Sequence, residues 1–139
     1  MKAEIRAHFS RGRFGSPCTP EQIAAVEEKI GLRLPEPLRE LYLAFDGFRG
    51  PTNAQYLFPL AQCTDGGSSL REMTLLFRDW KLVDLSSFVF FGSSSGDECW
   101  GISVDDPKKI IAYHHHMEDE FEYAGSDILQ VYLADEKKA

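Results

Sequence analysis

The apolar residues of this chain change their spacing once, just before residue 88, and this change limits the folds that the chain can adopt. On the N-terminal side they recur every three or four positions, as on one face of a helix. On the C-terminal side they form short continuous runs rich in aromatic and β-branched residues, as at 88–91, which is typical of buried strands. Helices followed by strands indicate an α+β fold and argue against a doubly wound one, in which the two alternate.

Three helices are predicted before this change, near residues 19–31, 35–46 and 70–81. The first has the clearest ends, because Thr19 and Gln22 have the spacing of a capping box and Gly31 can adopt the left-handed conformation that ends a helix. The first two helices form a hairpin, and we expect the apolar stripe of each to lie in the core.

Strands are predicted at 88–91, 99–104, 109–116 and 121–123, followed by a last helix near 126–135. Their connections are short, which favours an antiparallel meander, because parallel neighbours need a crossover of about a dozen residues. The sequence thus predicts a single α+β domain with an N-terminal helical hairpin, a mainly antiparallel sheet flanked by helices, and a C-terminal helix. We expect residues 15–136 to form this domain and residues 1–14 to form a basic N-terminal arm.

Negative charge is concentrated in the strand-rich part of the chain. The whole sequence holds 15 Lys and Arg against 22 Asp and Glu, a net charge of −7. Residues 1–81 contain 11 basic and 10 acidic residues, a net of +1, whereas residues 82–139 contain 4 and 12, a net of −8. This balance argues against nucleic acid and against an anionic membrane as partners. We expect the excess acid to lie on one face of the sheet.

The N-terminus and the cysteines indicate the compartment. The first residues are polar and lack the apolar stretch of a signal peptide, and no apolar run approaches the roughly 18 residues of a membrane-spanning helix. Cys18, Cys63 and Cys99 are odd in number and form no C-x-x-C pair, so neither a disulfide framework nor a zinc ribbon is indicated. These patterns predict a cytoplasmic protein.

His114, His115 and His116 follow one another at the end of the third predicted strand. On a strand, His114 and His116 share one face and His115 points to the other. Two imidazoles at that spacing can form half of a metal site, which needs a further ligand such as Cys99 or Glu118. The interpretation that we favour is a polar strand end without metal. His114 and His116 are therefore only secondary metal candidates, and no cofactor is expected.

Other polar segments give no specific sign of catalysis. The carboxylates in 118–122 follow one another on a turn, where side chains point in different directions, and a catalytic pair needs a cleft that separates two pKa values. The Gly- and Ser-rich segment 92–96 leads into a strand and not into a helix N-terminus, which argues against a phosphate site. We predict no catalytic residue and expect that the protein is not an enzyme.

The order of helix, Leu-Pro break, second helix and Asp-Gly stop over residues 19–47 resembles the opening of the SMI1/KNR4 family, also called the SUKH superfamily. Residues 57–60 resemble the short strand that follows in that family, and residues 91–105 resemble its hairpin. The similarity extends over about residues 15–135. One departure is the helix predicted at 69–81, which many members lack or vary.

The resemblance implies an α+β fold, no known catalytic chemistry and a role in binding other proteins. Many bacterial members resemble immunity proteins that neutralise a toxin, often a nuclease, whereas fungal members resemble regulators of cell-wall synthesis. A nuclease presents a basic surface, which an acidic face can occupy by charge complementarity. We therefore expect a bacterial immunity protein whose partner is a basic toxin. The alternatives are a regulatory or scaffold protein without a toxin and, third, a metal-binding protein that uses His114 and His116.

The candidate contacts for the partner are acidic side chains of the strand-rich half together with one tryptophan. They are Asp97, Glu98, Trp100, Asp105, Asp106, Glu118, Asp119, Glu120 and Glu122. Trp100 is included because aromatic residues anchor interfaces, and a buried core position is the alternative for it. For the acids, the alternative is a solvated face that binds nothing.

Overall fold

The computed structural model describes residues 1–64 and 66–139, and in these residues five α-helices accompany one four-stranded sheet. The elements follow in the order α1 (Lys2–His8), α2 (Pro20–Ile30), α3 (Glu36–Ala44), α4 (Leu70–Arg78), β1 (Phe88–Ser93), β2 (Cys99–Ser103), β3 (Ile110–Tyr113), a 3₁₀ helix (His115–Met117), β4 (Glu122–Gly125) and α5 (Ile128–Lys138). Helices precede the sheet and one helix follows it, which confirms the predicted α+β fold.

The helical hairpin forms as its end signals predict. The Thr19 hydroxyl accepts a hydrogen bond from the Gln22 backbone N–H at 3.1 Å, and the Gln22 side chain accepts one from the Thr19 N–H at 2.8 Å. Gly31 ends α2 in the left-handed conformation, with φ at 69°. The two helices turn their apolar stripes inward, burying Ile23, Val26, Ile30, Leu38, Leu41 and Tyr42.

The sheet is an antiparallel meander in the order β1-β2-β3-β4, as predicted from the short connections. Cys99 pairs with Ser93 on one side and with Tyr113 on the other, whereas Ser103 pairs with Phe88. The β1–β2 turn and the β3–β4 connection therefore lie at one end of the sheet, and the β2–β3 turn lies at the opposite end.

Both faces of the sheet are covered, which explains why the apolar run in β1 is continuous and does not alternate. Val89 and Phe91 join the larger core, which also contains the buried residues of α1, α2, α3 and α5. Phe88 and Phe90 point to the other face, where a second cluster includes Phe77 of α4. Helix α4 thus lies along the edge of β1 and contributes Leu70 to the larger core and Phe77 to the second cluster.

The outer edge of β1 is closed by groups outside the sheet. Phe90 N–H donates to the Thr74 hydroxyl of α4 at 3.0 Å, Phe58 N–H donates to the Phe91 carbonyl at 2.7 Å, and Ser93 N–H donates to the Gln55 carbonyl at 2.7 Å. The segment predicted as a short strand at 57–60 is thus extended, but its ladder is limited to one isolated bridge between Phe48 and Leu57.

The first 14 residues contain helix α1, which packs on the rest of the chain through the buried side chains of Ile5 and Phe9. The Arg6 guanidinium lies over the Phe14 ring, 4.9 Å from its centroid. His8 Nε2 lies 2.6 Å from a carboxylate oxygen of Glu136 in α5. The division of the chain at residue 14 stays a prediction.

In the C-terminal half, the predicted boundaries differ from the structure most clearly in the last three elements. The third strand was expected over 109–116, but β3 ends at Tyr113, and His115–Met117 form a 3₁₀ helix instead. The strand ends there because the Tyr113 hydroxyl donates to the Glu118 carbonyl at 2.6 Å, which closes a tight turn. The fourth strand is Glu122–Gly125, and the last helix is Ile128–Lys138, a few residues later than predicted.

Within the described residues, Cys18, Cys63 and Cys99 form no disulfide bond. Burial, followed by the nearby carboxylate of Asp46, raises the pKa of Cys18 to about 12. Burial and the charge of Asp97 raise the pKa of Cys99 to about 11. In the parts of the chain that the structure describes, no helix combines the length and the hydropathy that crossing a membrane requires.

Candidate functional site

The predicted acidic contacts divide between the two ends of the sheet. Six of them lie at the end formed by the β1–β2 turn and the β3–β4 connection, and we call this group the acidic end: Asp97, Glu98, Glu118, Asp119, Glu120 and Glu122. Asp105 and Asp106 lie in the β2–β3 turn at the opposite end. The expectation of one acidic face is therefore replaced by one acidic end and one separate pair.

The β1–β2 turn holds Asp97 and Glu98 in a fixed conformation. Ser94 organises this turn, because its hydroxyl accepts hydrogen bonds from the Gly96 N–H at 3.2 Å and the Glu98 N–H at 3.1 Å. Its own N–H donates to the Glu98 carbonyl at 2.8 Å. Asp97 has a φ of 65°, which aspartate tolerates better than most residues. The two carboxylates are thus presented by a hydrogen-bonded turn.

The β3–β4 connection presents the other four carboxylates. Tyr113 anchors it: its hydroxyl accepts from the Trp80 indole N–H at 2.7 Å and donates to the Glu118 carbonyl at 2.6 Å. Residues 118–120 follow as an exposed loop, and Glu122 begins β4 opposite Ala112. These two hydrogen bonds connect the loop, through Tyr113, to the second apolar cluster.

No carboxylate of the acidic end forms an ion pair within residues 1–64 and 66–139. The ion pairs there are Met1–Glu4 and His8–Glu136, and neither includes a member of the acidic end. Partial burial, and next the charge of Glu122, raise the pKa of Glu98 above its usual range, while Lys138 acts in the opposite direction. The acidic end thus concentrates negative charge, which Lys138 and His114 offset only in part at Glu98, and such a site attracts cations.

The pKa of Glu98 predicts how this site affects stability. Because the pKa is raised in the folded protein, the folded state holds the proton more tightly, and the free energy of unfolding falls as pH rises through and above the usual glutamate value. We expect Glu98→Gln to raise the free energy of unfolding at pH 7 by roughly 0.5 kcal/mol, since solvent screens a half-exposed group. Urea titrations between pH 4 and 7 should show this gain vanish at the acidic limit.

The control for that experiment is Glu28→Gln, which removes one charge from an exposed position of α2. An equal, pH-independent gain in both variants would mean that overall net charge, and not the surroundings of Glu98, sets the effect.

At the opposite end of the sheet, the Asp105–Asp106 pair belongs to a well-bonded turn. The Ser103 hydroxyl accepts from the N–H groups of Asp105 and Asp106 at 3.2 and 3.1 Å. The Asp106 carboxylate accepts from the Lys108 N–H at 3.2 Å. This pair is exposed, but the structure does not bring it together with the acidic end.

Trp100 does not lie on the surface. It is 3% exposed, and its ring centroid lies 5.3 Å from that of Tyr56 and 5.5 Å from that of Tyr132. Trp100 is therefore a core residue, which was the alternative interpretation of the sequence. The Trp100 ring belongs to the larger core, into which it projects from β2.

Asp135 of α5 is the residue that fixes the acidic end to the core, and sequence analysis missed it. Its buried carboxylate accepts from the Tyr56 hydroxyl at 2.6 Å, from the Ser95 N–H at 3.1 Å and from the Ser95 hydroxyl at 3.0 Å. The signal was present, because Asp135 follows Ile128, Val131 and Tyr132 on the apolar stripe of the last helix. An acid on a buried stripe indicates an internal hydrogen-bonded role.

A cleft of about 540 Å³ was also missed. It lies between residues 11–15 and 46–63, and the side chains of Arg11, Arg13 and Arg49 line it. The sequence signal is that arginine and glycine occur together in both flanking segments, at 11–15 and at 47–50. This cleft makes the N-terminal half locally basic, in contrast to the acidic end.

The histidine run lies beside the acidic end and differs from the strand geometry that was expected. His114 and His116 do not simply share one face opposite His115; the three rings cluster, with centroids 4.0 to 4.6 Å apart. Desolvation, followed by the charges of His116 and His114, holds the pKa of His115 below its usual range. The 3₁₀ turn is responsible, because it brings consecutive side chains closer than a strand does.

Comparison with known proteins agrees with this architecture. The model of the SMI1 / KNR4 family (SUKH-1) matches residues 17–129, which includes every element from α2 to β4. No curated protein matches the chain. Because the family match extends over most of its length, this chain belongs to the SMI1 / KNR4 family (SUKH-1).

Proposed function

We propose that this chain is a non-catalytic protein-binding module, as members of its family generally are, and that the acidic end binds a basic partner. The observation that carries the proposal is the set of six carboxylates that lie at one end of the sheet, none of them in an ion pair within the described residues. Like charges that lie close together repel one another. A cationic partner relieves that repulsion, and the field of the acidic end speeds its association.

Within this class, the more specific proposal is an immunity protein that neutralises a toxin. Family membership supports it, because many bacterial members resemble immunity proteins. Charge supports it as well, because a nuclease toxin must present a basic surface to the phosphates of its substrate. An acidic end docked on that surface would exclude the nucleic acid by occupying the same cations.

The alternative within the family is a regulatory or scaffold protein that binds a basic partner without any toxin. The acidic end would serve either role. The two differ in what happens to a cell when the partner is produced alone.

A growth assay separates these roles. The protein encoded by the neighbouring gene is expressed from an inducible promoter, with and without this chain. The immunity proposal predicts that the neighbour stops growth by itself and that co-expression of this chain restores it. Unimpaired growth with the neighbour alone, or arrest that this chain does not relieve, would contradict the immunity role for that pair. The acidic end itself is tested separately, by affinity capture with charge-matched variants.

A further inference from the structure

The histidine cluster, formed by His114, His115 and His116, is the feature that the protein-binding role does not use. In the described residues it is the one group of three or more potential metal-ligating side chains whose ligand atoms come together, all within 4.8 Å of one another. His115 and His116 are exposed, so a metal ion can reach them from solvent. We propose that these three imidazoles form a binding site for a divalent transition-metal ion, with zinc as the expected occupant.

The backbone of this turn is held by hydrogen bonds. The His114 ring accepts a hydrogen bond from the His116 N–H at its Nδ1 atom, at 3.2 Å, which orients that ring and leaves its Nε2 atom available. Met117 N–H donates to the His114 carbonyl at 2.8 Å, and the Tyr113 hydroxyl fixes the far side of the turn through Glu118. The cluster therefore stands on a hydrogen-bonded turn and not on a free chain end.

The three rings must turn to bind a metal ion, because their planes are only 25 to 41° apart and each nitrogen lone pair lies in its ring plane. Zinc binds imidazole nitrogens at about 2.0–2.1 Å, so nitrogens in a tetrahedral site lie about 3.3 Å apart. Rotation about the side-chain bonds of His115 and His116 must bring the nitrogens about 1.5 Å closer and direct them at one ion. Three imidazoles leave a fourth position for water, and nitrogen donors favour zinc over magnesium or calcium, which prefer oxygen.

The surrounding charge also favours a cation. His114 is close enough to Glu98 for their charges to interact, and Glu118 follows the turn directly. A divalent ion at the cluster is therefore bound in a negative potential, which strengthens the attraction without adding ligands. This proposal stands independently of the protein-binding role.

The test is calorimetric titration of zinc into the full chain, purified without a polyhistidine tag and freed of metal with a chelator. We expect saturable binding of one zinc per chain. Replacing His114, His115 or His116 singly with alanine should weaken binding by at least about tenfold. His8→Ala is the matched control, because His8 is the one histidine of the sequence outside the cluster, and it should leave the affinity unchanged.

Circular dichroism of each variant checks that the fold is retained. Zinc binding that persists in the variant with all three histidines replaced would show an adventitious ion only and would overturn the proposal. An unchanged affinity in any one of the three single variants would overturn the three-ligand site, as would loss of binding in His8→Ala.

Discussion

Replacing Gly92 with alanine is expected to lower the free energy of unfolding by more than about 4 kcal/mol, enough to unfold much of the protein. A Cβ atom at this position would lie 2.0 Å from the Tyr56 carbonyl oxygen and 2.7 Å from its carbonyl carbon. Both are backbone atoms of the segment that closes the edge of β1, so no side-chain rotation can relieve the clash. The segment must move away, and the hydrogen bonds from Phe58 to Phe91 and from Ser93 to Gln55 are lost with it.

Urea unfolding followed by circular dichroism measures this effect, and Gly96→Ala is the matched control in the next turn. A Cβ atom at Gly96 meets only the Ser94 hydroxyl, at 3.8 Å, so that variant should stay within about 0.5 kcal/mol of the wild type. Equal unfolding midpoints for the two alanine variants would show that the close approach at Gly92 is not required.

Asp135→Ala should be the second most damaging change, with a loss of about 3 kcal/mol. It removes the shared acceptor of the Tyr56 hydroxyl and of two groups of Ser95, and leaves the buried tyrosine hydroxyl without its partner. Asp135→Asn keeps one acceptor oxygen in place and should lose less. The order of thermal midpoints, wild type above asparagine above alanine, is the expected result.

A local measurement distinguishes the loss of the Asp135 hydrogen bonds from a general loss of packing. Hydrogen exchange at the Ser95 amide should accelerate in Asp135→Ala, because that N–H loses its acceptor, while the amides of α2 keep their relative protection. Wild-type stability in Asp135→Ala, or exchange that rises equally throughout the chain, would contradict the assignment.

Local signals in the sequence were enough to predict much of the fold. The capping box of Thr19 and Gln22 and the stop at Gly31 depend on residues within one helix, so they could be read without knowing any tertiary contact. The antiparallel meander followed from connection lengths alone. These features are fixed by chemistry over a few residues, which is why they were predicted correctly.

Features that depend on distant residues were missed or misplaced. β3 ends at Tyr113 because its hydroxyl bonds across a turn to Glu118 while Trp80 of a distant segment holds the ring, and no local pattern shows that. The division of the acids followed from strand register, which places Asp105 at the opposite end from Glu98. The composition showed that the excess negative charge lies in the C-terminal part of the chain, but it could not show at which end of the sheet each acid lies.

The central claim is that the acidic end, and not the net charge of the chain, binds a cationic partner. Two variants with the same change in net charge test it. Glu120→Lys with Glu122→Gln alters the acidic end by three charges, and Asp105→Lys with Asp106→Asn alters the opposite end by the same amount. Asparagine at 106 retains an acceptor for the Lys108 N–H, so the control keeps its turn.

The decisive measurement is affinity capture from cells that naturally express the chain, at about 50 mM salt, with the bound proteins quantified by mass spectrometry. Wild type and the Asp105/Asp106 control should retain the same basic protein, which elutes as salt rises, and the Glu120/Glu122 variant should recover about tenfold less of it. Equal recovery by both variants, or a partner that salt does not release, would contradict the account.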